Sequence, residues 1–134
     1  MLPEVPCVGA VVHDERGRLL LIRRGHAPSR GLWSVPGGRV EPRETEEAAV
    51  VREVAEETGL AVTVGALLGR VRIPAGGVVF TVADFGCRLG VPGQRPVAGD
   101  DADEVAWVDA AELAALSCTA GLVEALTAWH VLPG

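Results

Sequence analysis

The sequence lacks lysine and tyrosine, and its 134 residues include only two phenylalanines and three tryptophans. All twelve basic residues are therefore arginines, a feature from which we draw no function. With so few aromatic rings, the chain has few side chains with which to grip a nucleobase by stacking. The net charge of −6 argues further against a general nucleic-acid coat, because such proteins carry basic surfaces. We expect no nucleic-acid polymer as a partner.

Long apolar runs and paired cysteines are missing as well. No apolar stretch approaches the roughly 20 residues that cross a bilayer, and residues 1–12 lack the positive start and the cleavage site of a secretory signal. Cys7, Cys87 and Cys118 are odd in number and widely spaced, which is typical of buried, reduced thiols. These absences predict a cytoplasmic protein with no membrane partner.

The apolar content is sufficient for one hydrophobic core. Hydrophobic residues make up 49% of the chain, and its length suits one domain. No repeat, low-complexity segment or linker interrupts it. We therefore expect a single domain over residues 1–134.

Hydrophobic periodicity and turn residues predict strands and helices in a mixed order. Apolar segments at 6–13 and 18–24 flank a turn at 14–17 and predict a hairpin. Residues 61–71 and 77–87 predict two longer strands around a turn at 74–77. The other predicted elements are a strand at 32–35, a tight glycine loop at 36–38, a strand at 104–108, and helices at 45–58, 109–116 and 119–130. This order favours an α/β fold with a mixed sheet between helices.

The helix predicted at 45–58 has clear ends. Thr45 can cap its first turn, and Gly59 can end it in the left-handed conformation. The helical period assigns its buried stripe to three residues opposite the acidic ones, namely Ala48, Val51 and Ala55.

Three carboxylates lie on one turn of this helix. At about 100° per residue, Glu56 and Glu57 fall roughly 60° and 40° to either side of Glu53. Such charges repel one another unless a cation lies between them. A hard divalent ion prefers oxygen ligands and can bridge carboxylates to phosphates. The spacing therefore predicts a Mg²⁺ site, or a Mn²⁺ site, that serves a polyphosphate.

Residues 38–60 resemble the Nudix box, G-x5-E-x7-R-E-U-x-E-E-x-G-U, where U is a bulky aliphatic residue. Every fixed position is filled, by Gly38, Glu44, Arg52, Glu53, Val54, Glu56, Glu57, Gly59 and Leu60. The resemblance implies the Nudix-type α/β/α sandwich. It also implies a metal-dependent hydrolase in which water attacks a diphosphate P–O–P bond.

The box also suggests roles for its residues. Glu53, Glu56 and Glu57 would bind the metal, and Gly38 would add its backbone carbonyl. Arg52 would orient the metal-binding carboxylates. Glu44 would support Arg52, although a surface ion pair explains Glu44 almost as well.

The general base is open between two positions. Glu53 is the candidate within the box. In several Nudix branches the base comes from a later loop, and the acidic segment 99–104 occupies that position here. Glu104 stands three residues before Trp107, as in the family's E-x-x-W pattern, so it is the first choice in that loop. A solvated acidic loop is an equal alternative.

The sequence also leaves open which basic residue would contact a phosphate. Arg23 and Arg24 end the second predicted strand, where related proteins carry a basic residue that faces phosphate. Because strand side chains alternate, one of the two points away, and the sequence does not say which. Arg70 and Arg72 are weaker candidates.

The substrate is predicted only as a small nucleoside diphosphate derivative. Pro74 resembles a proline found soon after the box in ADP-ribose pyrophosphatases, which favours ADP-ribose or a nucleotide sugar mildly. The alternatives are a nucleoside triphosphate pyrophosphohydrolase of the 8-oxo-dGTP sanitising type and a Nudix sensor that binds a nucleotide without hydrolysis. A homodimer through residues 121–129 is open, although we expect this helix to pack on the sheet.

Overall fold

The computed structural model describes residues 1–27, 29–99 and 101–134. Pro28 and Asp100 lie outside the described residues, and Asp100 is part of the acidic segment 99–104, which is a candidate source of the general base. Within the described ranges the elements are, in chain order, β1 (Glu4–His13), β2 (Leu19–Arg24), β3 (Trp33–Ser34), β4 (Gly37–Arg39), α1 (Glu46–Thr58), β5 (Val62–Ala75), β6 (Val78–Leu89), β7 (Ala102–Val108), α2 (Ala110–Ala115) and α3 (Leu122–Ala128).

The strands form a mixed sheet in the order β3-β2-β1-β6-β5, with β4 added to β1 and β7 added to β2. β1 and β6 run parallel, and the other pairs are antiparallel. The predicted hairpin of β1 and β2 is present, joined at His13 and Leu19. Helices cover both faces, so the predicted mixed sheet between helices is confirmed.

Two apolar clusters lie on opposite faces of the sheet. On one face, Ala49, Val50 and Val54 of α1 pack against a cluster that includes Val8, Ala10, Val12, Leu20, Ala83 and Phe85. On the other face, the residues of α2 and α3 pack against the strands, in a cluster of Val11, Leu19, Leu21, Val108, Leu113 and Leu126. The expectation that the C-terminal helix packs on the sheet is therefore confirmed. In the described ranges, no helix is long and apolar enough to cross a membrane.

The ends of α1 match the prediction, but its buried face does not. The Thr45 side chain accepts a hydrogen bond from the Ala48 amide, and Gly59 ends the helix with a φ of 71°. The predicted stripe of Ala48, Val51 and Ala55 is wrong, because Val51 is 41% exposed and the other two are exposed as well. The buried residues are Ala49, Val50, Val54, Glu57 and Thr58. The helix is rotated because part of its acidic side packs against β4.

The glycine segment at 36–38 is also different from the prediction. Gly37 and Gly38 form a strand with β1, in the register Gly9 to Gly37 and Val8 to Gly38, and neither has a positive φ. The predicted tight loop is therefore wrong. A Cβ on Gly37 would collide with the Val8 carbonyl.

The strands β5 and β6 are longer than predicted. Pro74 lies inside β5, opposite Val79, instead of in the turn. The turn is reduced to Gly76 and Gly77, whose φ values of 59° and 79° favour glycine.

Candidate active site

The strand β4 and the helix α1 meet at a pair of carboxylates. The Gly37 amide donates a hydrogen bond of 2.8 Å to Oε1 of Glu57. Gly38 lies directly against Glu53, since a Cβ built on Gly38 would be 2.5 Å from the Glu53 carboxylate carbon. The sequence therefore needs glycine here so that the backbone can approach two acidic side chains.

Burial changes the proton affinity of both carboxylates. Glu57 is only 5% exposed, and this burial raises its pKa to about 8, against the opposing effect of the Gly37 hydrogen bond. The charge of Glu53 raises the Glu57 pKa further, and the charge of Arg24 lowers it. Burial also raises the pKa of Glu53, although its hydrogen bond with Arg52 lowers it. A cation beside these groups would restore their charged forms.

Arg52 links the helix to the segment before it. Its Nε and Nη2 donate to the two oxygens of Glu44 at 2.7 and 2.9 Å, which is a bidentate pair. Its Nη1 donates to Glu53 at 2.8 Å and to Glu56 at 3.3 Å, and its Nη2 also donates to the Arg39 carbonyl at 2.9 Å. The Arg52 contact holds the pKa of Glu44 far below its usual range, at about 2.

The carboxylate oxygens are suitable ligands for a hard divalent cation, although they do not converge on one position. Among the described residues, no three acidic, histidine or cysteine side chains converge tightly enough to hold an ion. Each of the three helix carboxylates nevertheless has one oxygen engaged and one that accepts no hydrogen bond from the described residues: Oε2 of Glu53, Oε1 of Glu56 and Oε2 of Glu57. None of these oxygens is completely enclosed. Glu56 has a side chain that is 44% exposed, so it is free to turn from Arg52 toward an ion.

Two candidates from outside the box contact each other. Arg23 and Glu104 are paired in the register of β2 and β7, and Nη2 of Arg23 donates to Glu104 at 2.9 Å. The Nε of Arg23 is buried and has no partner in the described part of the chain. The sequence had assigned these two residues to separate tasks, and it gave no sign of their pairing across strands.

The neighbouring arginines are placed differently. Arg24 follows a register shift after Arg23, and its charge acts on Glu57, so it lies toward the carboxylate site. Arg70 forms a bidentate pair with Glu46 at 2.8 and 3.0 Å. Arg72 is paired with Glu4 at 3.2 Å on the exposed side of β5. The structure brings Arg24 near the site and keeps Arg70 and Arg72 in surface ion pairs.

Asp84 is a buried charged residue that the sequence reading missed. It is 6% exposed in the middle of β6, and burial raises its pKa to about 6. A signal was present, because Asp84 is the single charged residue in the apolar run 78–87.

The NUDIX domain family model matches residues 3–129 of the chain. The chain belongs to the NUDIX family. An ADP-ribose pyrophosphatase from Methanocaldococcus jannaschii is 42% identical to this Nudix protein over 111 residues, which are 80% of this chain and 62% of that relative. The chain thus spans about three fifths of the length of that curated relative. A protein of Mycobacterium tuberculosis named putative 8-oxo-dGTP diphosphatase 2 is 38% identical over 117 residues, which are 84% of this chain and 78% of that relative.

Solved structures agree with the family assignment. The crystal structure of a MutT protein from Methanosarcina mazei Go1 superposes with a TM-score of 0.82 at 26% identity, covering 96% of this Nudix protein and 94% of that chain. The Nudix fold expected from the box is confirmed.

Proposed function

We propose that this Nudix protein is a divalent-metal-dependent hydrolase that cleaves the diphosphate bond of a nucleoside diphosphate linked to another moiety. The observation that carries the proposal is the Glu57 carboxylate, which is almost fully buried beside Glu53. One of its oxygens accepts a hydrogen bond from the Gly37 amide, and the other accepts none from the described residues. A buried carboxylate without a cation is costly, so the site favours an ion there. In this proposal residues 1–134 act as one domain. Its free cysteines fit a reducing cytoplasm.

In this proposal Glu53, Glu56 and Glu57 hold Mg²⁺ or Mn²⁺, and the Gly38 carbonyl is a further ligand. When bound there, such an ion would neutralise charge on the diphosphate and help to orient the attacking water. Arg52 fixes the direction of Glu53, and Glu44 fixes Arg52 through two parallel hydrogen bonds. Arg52 and Glu44 therefore act as positioning residues.

We assign the general base to Glu53 instead of Glu104. Glu53 is largely shielded from solvent and lies next to Gly38 and Glu57, where the metal and its attacking water would be bound. Glu104 has a side chain that is 56% exposed and is already bonded to Arg23. Glu104 and Arg23 then form a pair at the rim of the site.

We assign the phosphate contact to Arg24. Its charge already acts on Glu57, so it lies on the side where a diphosphate would approach. Arginine suits this task because its planar fork presents two donors to phosphate oxygens.

ADP-ribose or a nucleotide sugar is the first substrate class to test, because the relative from M. jannaschii is named ADP-ribose pyrophosphatase. Hydrolysis of 8-oxo-dGTP is the second candidate, supported by the name of the relative from M. tuberculosis. The complete set of box glutamates argues against a sensor without hydrolytic activity.

The experiment is a phosphate-release assay with added phosphatase, run on ADP-ribose, nucleotide sugars and 8-oxo-dGTP with Mg²⁺ or Mn²⁺, with the products identified. We expect metal-dependent turnover that Glu57→Gln reduces by several orders of magnitude. The matched control is Glu47→Gln, an exposed carboxylate on the same helix that should leave turnover unchanged. Equal activity of wild type and Glu57→Gln, or no turnover of any substrate, would overturn the proposal.

A further inference from the structure

Asp84 lies on the face of the sheet that is opposite α1. It is aligned with Gly9 of β1 and with Gly69 of β5, so glycines flank it on both neighbouring strands. Its carboxylate leans over Gly9, where a Cβ would collide with Oδ1. Glycine at position 9 therefore leaves the space that the Asp84 carboxylate occupies.

The surroundings of Asp84 are apolar and aromatic. Val35 borders the same position, since a Cβ on Gly9 would lie 3.4 Å from its Cγ2. On the other side the indole of Trp129 covers Gly69, with its Nε1 placed 2.6 Å from a Cβ built there. A planar, largely apolar ligand group would find an aromatic ring and an aliphatic wall on either side of the carboxylate.

The carboxylate of Asp84 has no hydrogen-bond partner among the described residues. Among the described residues no amide, hydroxyl or arginine donates to it, and burial is the only effect that acts on its pKa. In the described part of the chain, Arg23 Nε is the only side-chain nitrogen or oxygen that is both fully enclosed and without a hydrogen bond. The unpaired oxygens of Asp84 are therefore not completely enclosed, and solvent or a ligand can reach them. A buried polar group without a partner is rare in folded proteins and calls for an explanation in terms of function. A donor from outside the chain would supply the missing hydrogen bond.

Along the sheet, the backbone of Asp84 is also close to the proposed diphosphate site, although its side chain lies on the face opposite α1. Asp84, Gly9 and Gly37 are aligned on three neighbouring strands, and the Gly37 amide binds Glu57. Two strand spacings separate Asp84 from Gly37, which is about 10 Å between Cα atoms. This separation is comparable with the length of a nucleoside 5′-phosphate.

We propose that Asp84 is a specificity-determining residue that accepts a hydrogen bond from the exocyclic amino group of the substrate's nucleobase, with the base lying beside Trp129. The inference rests on the proposed nucleotide hydrolase function. An ionised carboxylate is an acceptor only, so it binds the amino group at C6 of adenine or at C4 of cytosine. It repels the carbonyl oxygen that hypoxanthine or uracil presents at the corresponding position.

The test compares bases that differ only at that position. Binding of AMP against IMP, and of CMP against UMP, is measured by calorimetry for wild type and Asp84→Asn. We expect the wild type to bind at least one amino-bearing nucleotide about 10-fold or more tightly than its keto partner. Asparagine can donate to a carbonyl, so the ratio in Asp84→Asn should fall to about 3 or less. The matched control is Glu124→Gln, an exposed carboxylate of α3, which should keep the wild-type ratio.

Two results would overturn the assignment: equal wild-type affinities within both pairs, or a ratio that Asp84→Asn leaves unchanged. The mononucleotides contain no diphosphate bond, so this binding result is independent of hydrolysis. If the protein prefers an amino-bearing nucleotide to its keto partner but hydrolyses no substrate, only the hydrolase proposal is overturned. Hydrolysis without discrimination would overturn the role of Asp84 alone.

Discussion

Arg52 is the residue whose chemistry is least replaceable in the site. Its guanidinium holds both oxygens of Glu44 and, from another edge, the carboxylate of Glu53. A lysine ammonium carries the same charge but cannot form two parallel hydrogen bonds in a fixed plane. The direction of Glu53 therefore depends on the shape of Arg52 as well as on its charge.

We expect Arg52→Lys to lower kcat/KM by roughly 10- to 100-fold, the range typical for residues that orient metal ligands. The loss should fall mainly on kcat, because Glu53 would be misdirected while the phosphate contact at Arg24 stays. Arg70→Lys is the control, since Arg70 also makes a bidentate pair, with Glu46, but on the protein surface. Similar kinetics for the two variants would contradict the positioning role.

At the scale of elements, the packing of β4 against α1 determines the position of the Glu53 carboxylate. The close approach of Gly38 to Glu53 means that any side chain at this position must displace the carboxylate. Gly86 provides a comparison within a strand of the same sheet, because a Cβ there would make ordinary contact with Leu68 at 3.7 Å.

We expect Gly38→Ala to lower turnover by at least about 10-fold, since a metal-binding group shifted by even 1 Å can cost up to about 10²-fold in rate. Gly86→Ala should stay close to wild type in turnover. Steady-state kinetics of the two variants, with thermal unfolding to verify the fold, make the comparison. Full activity of Gly38→Ala would show that β4 does not position Glu53.

The sequence predicted the elements better than it predicted how they face each other. The Thr45 cap and Gly59 end of α1 follow from local chemistry, and both are present. Its buried stripe was wrong because the period alone treats glutamates as exposed, whereas Glu57 is buried by its contact with Gly37. The pairing of Arg23 with Glu104 joins residues far apart in the chain, and strand pairing of this kind is not encoded in local pattern.

At the scale of the whole molecule, Asp84 makes stability depend on pH. Its pKa of about 6 in the native state lies above the usual aspartate pKa of 3.8, so the native state binds a proton more readily than the unfolded chain. The stabilisation from this proton is complete below about pH 4 and is lost as the pH rises through 6. At neutral pH the buried charge therefore costs free energy.

We expect Asp84→Asn to be more stable than wild type at pH 7.5 by roughly 1–3 kcal/mol, the scale set by the pKa shift. The difference should shrink steadily as the pH falls from 6 to 4, because the protonated acid resembles the amide. Urea unfolding of both proteins across this pH range measures it. A difference that is constant with pH would mean that Asp84 does not titrate in this range.

The parallel pairing of β1 with β6 determines when the chain can finish folding. Every residue of β1 from Glu4 to His13 aligns with a residue of β6 from Val79 to Arg88, which emerges from the ribosome much later. Until β6 is available, the edge of β1 that pairs with it has unpaired backbone groups, so this apolar strand can associate with other chains. Contacts over such sequence distances slow folding. A nascent chain halted before residue 78 should therefore depend on chaperones far more than the finished protein does.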